Sequence, residues 1–146
     1  MTYSDTPLPI HSEVKHRAKT LRARRQAAGQ PMSHAQALER ISRKLGFRDW
    51  NTLSAAITTV RNASCVPKGD TVRGHYMGNP FDARILRIGA TAEGETRLTL
   101  RFNEAIDVVE HTGFSAFRQQ INCRVNRDGR SSEEISDGTP HVTLML

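Results

Sequence analysis

Ten cations crowd two short stretches of this chain, and nine of them are candidate contacts: Lys15, Lys19, Arg22, Arg24 and Arg25 beside Arg17, then Arg40, Arg43, Lys44 and Arg48. Lys15, Lys19 and Arg22 stand at i, i+4 and i+7, the spacing that lines one face of a helix, and Arg25 follows close by. A row of this kind attracts phosphate polymers, because each neutralised phosphate releases condensed counterions. Cations near a helix C-terminus also stabilise it by about 0.3–1 kcal/mol each, so the second group has a structural reading as well. Nine on one small region exceed what capping uses. The chemistry they point to is contact with backbone phosphates, and an acidic protein surface is the alternative partner.

The other reactive side chains carry less. Glu104, Glu110 and His111, with His75 or His141, are the residues from which a metal site would be assembled, but their spacing matches no metal motif. Cys65 and Cys123 fit neither a metal spacing nor a paired-cysteine redox motif, and read as two reduced, partly buried thiols. Ser33-His34 is a helix cap and its neighbour, and Glu133-Glu134 lies in a polar loop. No glycine-rich phosphate loop or nucleotide fingerprint occurs. The expectation is therefore a non-enzymatic protein with no catalytic residue, no cofactor and no metal.

Charge is distributed unevenly. Residues 1–65 hold eleven Lys/Arg against four Asp/Glu, a balance of +7, while residues 66–146 hold ten against eleven, a balance of −1. No run of about 18 apolar residues is present, so no membrane partner is expected, and the N-terminus lacks a secretory pattern, so the expected compartment is the cytoplasm.

The elements that must position these cations follow from local signals. Residues 1–11, with Pro7 and Pro9, read as a flexible lead-in, and residues 12–61 as a basic helical unit. Its first helix starts at Ser12 as N-cap, buries Val14, Ala18, Leu21 and Ala28, and stops at Gly29. The second opens with a capping box, Ser33 and Gln36, buries Leu38, Ile41 and Leu45, and stops at Gly46. Asp49 caps a third helix carrying Trp50, Leu53 and Ile57, and the three share a core centred on Trp50, Phe47 and Leu38. Ser33–Gly46 and Asp49–Val60, joined by a short Gly turn, have a helix–turn–helix-like outline. A reading helix would present Asn51, Thr52, Ser54, Ala55 and Thr58, yet no cation lies between Asp49 and Val60. The pair is therefore expected to be the scaffold for a basic surface.

Residues 62–70 read as a linker, and from 71 to 146 the period changes to two. Strands are expected near Thr71–Tyr76, Phe81–Gly89, Arg97–Phe102, Ile106–Glu110, Ile121–Val125 and His141–Leu146, with one helical turn over Phe114–Gln120. Turns are expected at Gly78-Asn79-Pro80, Ala92-Glu93-Gly94, Arg127-Asp128-Gly129 and Asp137-Gly138. Short strands this dense predict a small antiparallel β-barrel, SH3-like, so the fold class is α+β. Tyr76, Phe81, Phe102, Phe114 and Phe117 alternate with polar residues and read as barrel core, while Arg84, Arg87, Arg97 and Arg101 read as balanced by Asp82, Glu93, Glu95 and Glu104.

Five blocks together resemble a bacterial group of glyoxalase-related, or glyoxalase-superfamily, proteins: KHRAKTLRA, SHAQALERISRKLGFRDWNTLSAA, GDTVRGHYMGNPFDARIL, FNEAIDVVEHTGFSAFRQQI and DGTPHVTLML. The resemblance covers most of the chain and carries no assigned reaction. A glyoxalase-type metal enzyme would resemble repeated βαβββ units with His and Glu ligands on facing strands, whereas here three helices precede the strands. The sequence thus predicts a nucleic-acid-binding (DNA-binding) or regulatory accessory protein. An adaptor docking an acidic protein is the second reading and a metal-dependent glyoxalase-like enzyme the third.

Overall fold

A computed structural model describes residues 7–66, 69–91, 94–109, 115–131 and 141–146, with the side chains of 107–109 and 115–118 left aside. The elements run β1 (Leu8–Pro9), α1 (His11–Ala27), α2 (His34–Lys44), α3 (Trp50–Ala63), β2 (Thr71–Tyr76), β3 (Asn79–Ala90), β4 (Thr96–Val109), β5 (Ser115–Val125) and β6 (Val142–Met145). The class is α+β. Two compact units share the chain: Pro9–Thr59 carries the helices, and Val60–Leu146 with the segment up to Leu8 carries the sheet.

Helix starts and stops follow the cap chemistry of the sequence, with one exception. In α2 the Ser33 hydroxyl accepts from Gln36 N at 3.1 Å and the Gln36 amide oxygen accepts from Ser33 N at 2.9 Å, a complete capping box. At its other end Gly46 takes φ +93°; its N–H reaches Arg43 O and Phe47 N reaches Ser42 O, so a Schellman turn satisfies the last carbonyls. Gln30 N to Arg25 O and Gly29 N to Gln26 O close α1 in the same way. The exception is the start of α1, where Ile10 and not Ser12 is the cap residue, with no side-chain cap. Ile10 is fully buried, and Glu13 N and Val14 N both bond to its carbonyl, so burial of that residue starts the helix one step after Pro9.

Within the helical unit the buried positions are Pro9, Ile10, Val14, Ala18, Ala37, Leu38, Ile41, Ser42, Leu53 and Ile57. Trp50 and Phe47 are only half-buried, so the expected aromatic centre of this core is aliphatic instead. Two polar ties fix the helices to one another. Trp50 N donates to the Glu39 carboxylate at 3.2 Å, and His11 Nε2 lies 2.9 Å from Ser54 Oγ with its ring edge-on to Trp50.

The sheet is antiparallel, ordered β5-β4-β3-β2-β6, with β1 pairing β3 off that path. A two-residue turn, Met77 (φ 50°) and Gly78 (φ 85°), joins β2 to β3, so the bend falls before the expected Asn79-Pro80, which lie in β3. Positive φ at both central residues matches the twist of the flanking strands, and that geometry outweighs the turn propensity of Asn-Pro. Two expected strands, Arg97–Phe102 and Ile106–Glu110, are one strand with a register shift between Arg101 and Ile106. The exposed Asn103-Glu104-Ala105 bulges out without ending it. The expected helical turn over Phe114–Gln120 is strand from Ser115 onward, because pairing with Ile106–Val109 supplies backbone partners that a single turn cannot. The proposed turns at Ala92-Glu93 and Asp137-Gly138 lie outside the described residues, as do Glu133 and Glu134.

Val72, Tyr76, Phe81, Ala83, Ile85, Ile88, Leu98, Leu100 and Phe102 fill the inner face, with Phe81 and Tyr76 rings 4.9 and 5.6 Å from that of Phe102. Beyond β5 the chain turns back: Asn126 N bonds to Arg130 O, Ser131 N to Val142 O, and Leu144 N to Gly129 O. The Gly129–Ser131 segment thereby bridges β6 and the end of β5, joining the two edges of a curled sheet.

Gly74, opposite Leu144 on β6, is a position where only glycine fits, since an added Cβ would sit 2.0 Å from the Thr143 carbonyl oxygen. Gly74→Ala should therefore push β6 off β2 and cost about 3 kcal/mol, the upper end for overpacking, read as a lowered urea midpoint. Ser33→Ala should cost about 1 kcal/mol in the same assay.

Candidate anion-binding groove

The cations of α1 separate onto two flanks of the helix. Val14, Ala18 and the half-buried Leu21 mark its inner face. Lys15, Lys19 and Arg22 follow one another at helical spacing on one flank, all exposed. His16, Arg17, Thr20 and Arg24 occupy the other flank, where α1 packs against α2. There they meet Arg40 and Lys44 across a groove of about 560 Å³ whose apolar lining is Leu21, Ile41 and Leu45. Three of the nine predicted contact residues, Arg24, Arg40 and Lys44, are thus brought together from two helices.

The remaining six have other settings. Arg22 Nε donates to Met32 O at 3.3 Å, and the Arg25 guanidinium to the Gln30 amide oxygen at 2.8 Å, so both also hold the turn after α1. Arg43 and Lys44 occupy the last turn of α2, and Arg43 is exposed. Arg48 lies 3.4 Å from the Asp49 carboxylate in a largely exposed pair, worth little by itself. Lys15 and Lys19 stand in solvent. Sequence spacing singled out the exposed stripe and missed His16, Arg17 and Thr20. Their signal was the second i, i+3, i+4, i+7 series on the same helix: Arg17, Thr20, Leu21 and Arg24.

Electrostatically the groove is positive, with one internal carboxylate nearby: Glu13 sits 3.4 Å from Arg17 one turn earlier on α1. The α3 hydroxyls, those of the expected reading positions Thr52, Ser54 and Thr58 and that of Thr59, have partners within the fold. Thr52 caps with Asp49, Ser54 lies against His11, and the Thr58 and Thr59 hydroxyls bond back to the carbonyls of Ser54 and Ala55. Such back-bonding leaves fewer donors for an outside ligand.

A glyoxalase-type metal centre needs a convergent His/Glu set. His75 and Glu104 line one opening on the sheet and His141 lines a different one, while Glu110 and His111 lie outside the described residues. Among the described residues no three His, Cys, Asp or Glu come together as a metal-binding group. Cys65 and Cys123 are both half-buried and are not joined in a disulfide, and the Cys65 thiol points at the Asn126 carbonyl, 3.3 Å away. Among the described residues no helix is long and apolar enough to cross a membrane.

The family model described as glyoxalase superfamily protein matches residues 4–146, nearly the whole chain. The chain belongs to that family. Comparison with curated proteins and with solved structures returns no match. In this glyoxalase superfamily protein three consecutive helices lie between β1 and the run β2–β6, and among the described residues the order is not the repeated βαβββ of a metal-dependent glyoxalase.

The cap at Asp49 gives a pH test of how the second half of the helical unit is held. The Thr52 hydroxyl and then the Thr52 N–H, at 2.6 and 2.7 Å, hold the Asp49 carboxyl below its ordinary range, with Arg48 adding a smaller pull. A carboxylate whose pKa is lowered on folding contributes stability that is complete above its unfolded pKa and is lost as pH falls through the folded one. Asp49→Asn retains an acceptor oxygen but does not titrate, so its thermal stability should fall less steeply than wild type's below about pH 4.

Proposed function

We propose that this protein is a non-enzymatic nucleic-acid-binding or regulatory accessory protein that contacts phosphates through its helical unit. The observation that carries the reading is the convergence of Arg24, Arg40 and Lys44 on one groove, beside the imidazole of His16 and the hydroxyl of Thr20. Guanidinium and ammonium groups neutralise phosphate charge, and a neighbouring hydroxyl or imidazole supplies the directional hydrogen bond that fixes position. Lys15, Lys19 and Arg22 on the opposite flank extend the positive surface along the same helix. In this reading α2 and α3 form a helix–turn–helix-like support and do not read bases. The sheet unit is a small SH3-like barrel that serves as a scaffold, and the protein works in the cytoplasm.

The apolar lining supplies a second reading. Leu21, Ile41 and Leu45 between cationic rims suit an amphipathic acidic helix of a partner protein, which would bury its apolar stripe and pair its carboxylates with the rims.

The readings separate by salt titration. Affinity for a labelled duplex should fall steeply with salt, and R24A/R40A/K44A should lower the slope of log K against log salt by about 3, at about 0.9 per phosphate contact. A protein that binds no duplex at low salt, or a triple variant whose slope equals wild type's, would sink the nucleic-acid reading. Copurification of an acidic protein that survives nuclease and is lost in I41D would favour the second.

A further inference from the structure

Helix α1 buries little, and what it leaves outside is sorted around its circumference. At about 100° per residue, Lys15 and Arg22 fall about a quarter-turn to one side of the inner line Val14, Ala18, Leu21, and Arg17 and Arg24 about a quarter-turn to the other. Lys19 leans outward from the first flank. Opposite the inner line the side chains are short or uncharged: His16 and Ala23 lie about half a turn away, with Ser12 and Ala27 beside them. His16, Ala23 and Ala27 are exposed and Ser12 is half-buried. A helix that meets only water carries its charge on the side opposite its core. Here that crest holds two alanines, and the cations stand to either side of it.

The cations differ in how far the fold already engages them. Glu13 holds Arg17 at 3.4 Å, and Arg22 donates to the Met32 carbonyl at 3.3 Å. Lys15, Lys19 and Arg24 are exposed, and on the second flank α2 adds the exposed Arg40 and Lys44 across the groove from Arg24. The result is two cationic rows, Lys15, Lys19 and Arg22 on one side of α1 and Arg24, Arg40 and Lys44 on the other. What separates them is the body of a helix, about 10–12 Å across with its side chains.

The geometry points to α1 as a helix that enters the major groove of duplex DNA, with its crest toward the base edges and its two cationic rows on the phosphates of opposite strands. The inference rests on the phosphate-contact reading above and adds to it the polymer, the groove and the element inserted. The major groove of B-form DNA, about 12 Å wide, admits an α-helix, whereas the minor groove, about 6 Å wide, does not. In A-form RNA the major groove is too narrow for side chains to read, which selects DNA. Short crest residues let the helix backbone come close to the bases: an alanine methyl packs on a thymine methyl, and the His16 ring supplies a hydrogen-bonding group. α3 is less suited, since no cation lies between Asp49 and Val60 and its hydroxyls are engaged within the fold. An acidic helix seated in the α1–α2 groove would meet Arg24, Arg40 and Lys44 but leave Lys15 and Lys19, on the far flank, without an anion. Two cationic rows match a ligand with two anionic walls.

The test measures the affinity of the full chain for a labelled DNA duplex in two variants. Ala23→Glu sets one carboxylate on the exposed crest of α1, and Ala55→Glu sets the same charge on an exposed position of α3. Ala23→Glu should weaken binding by at least about tenfold, because a like charge is placed between the phosphate walls. Ala55→Glu should weaken it by less than about threefold at physiological salt, where exposed charges more than about 8 Å apart are largely screened. K15A/K19A should lower the salt slope by about 2, independently of the loss in R24A/R40A/K44A, at about 0.9 per phosphate contact. An equal loss in the two carboxylate variants, or a greater one in Ala55→Glu, overturns the inference. So does a slope in K15A/K19A equal to wild type's, or duplex RNA bound as tightly as duplex DNA. In those outcomes a reduced slope in R24A/R40A/K44A leaves the phosphate reading standing, whereas a wild-type protein that binds no duplex removes both. Should A23E melt below wild type, A23Q and A55Q carry the added length without the charge, and A23Q should again bind less tightly than A55Q.

Discussion

A β-strand alternates its side chains between two faces, and one extra residue exchanges the faces for everything beyond it. In β3 that residue is Leu86, and the sheet unit depends on where it falls. Before it, Phe81, Ala83 and Ile85 point into the core; after it, Ile88 does. The same step keeps Arg87 out of an apolar interior, where an unpaired guanidinium would cost several kcal/mol in desolvation. A single bulge therefore fixes both the apolar filling of the curled sheet and the outward side of Arg87. A second shift, between Arg101 and Ile106, lets β4 continue past a polar segment and pair with the first half of β5.

The helical unit is ordered differently, by its ends. Glycine-stopped turns close α1 and α2, and side chains from outside the helix itself hold the start of α3: Asp49 caps Thr52, and Glu39 on α2 accepts from Trp50 N. Such end-to-end fixing suits helices with little apolar surface, since α1 fully buries only Val14 and Ala18 over seventeen residues. A helix with so narrow an inner face leaves most of its circumference to charge, and that is why cations fit on both flanks.

Where local chemistry decides, the sequence was legible. Ser33, Gln36, Gly46 and Asp49 act at their positions as their types dictate, and Thr71–Tyr76 is the strand that its alternation foretold. Where partners decide, it was not. The Phe114–Gln120 stretch has mixed propensity and becomes strand from Ser115 through pairing with β4, and Asn79-Pro80 yields the turn to Met77-Gly78. The candidate site shows the same division. Spacing along one helix exposed the Lys15, Lys19, Arg22 row, whereas the groove needed the packing of α1 on α2 to bring Arg24 to Arg40.

The way the sheet edges meet also bears on how the chain acquires its structure. Strands β2 to β5 are each neighbours of the next, so three hairpins of modest loop length build them in order. β1 and β6 are the exceptions: β1 pairs with β3 with all three helices between them in sequence, while the ladder partner of β6 is β2, some seventy residues earlier, and its other neighbour is the Gly129–Ser131 segment. Contacts across such a separation form after local ones, because the entropy of a long loop must be overcome first. On this argument β1 and β6 join after the hairpins, and until β6 does the backbone groups of β2 lack strand partners along one side. The interval before β6 pairs is when the edge of β2 is most exposed to pairing with another copy of the chain.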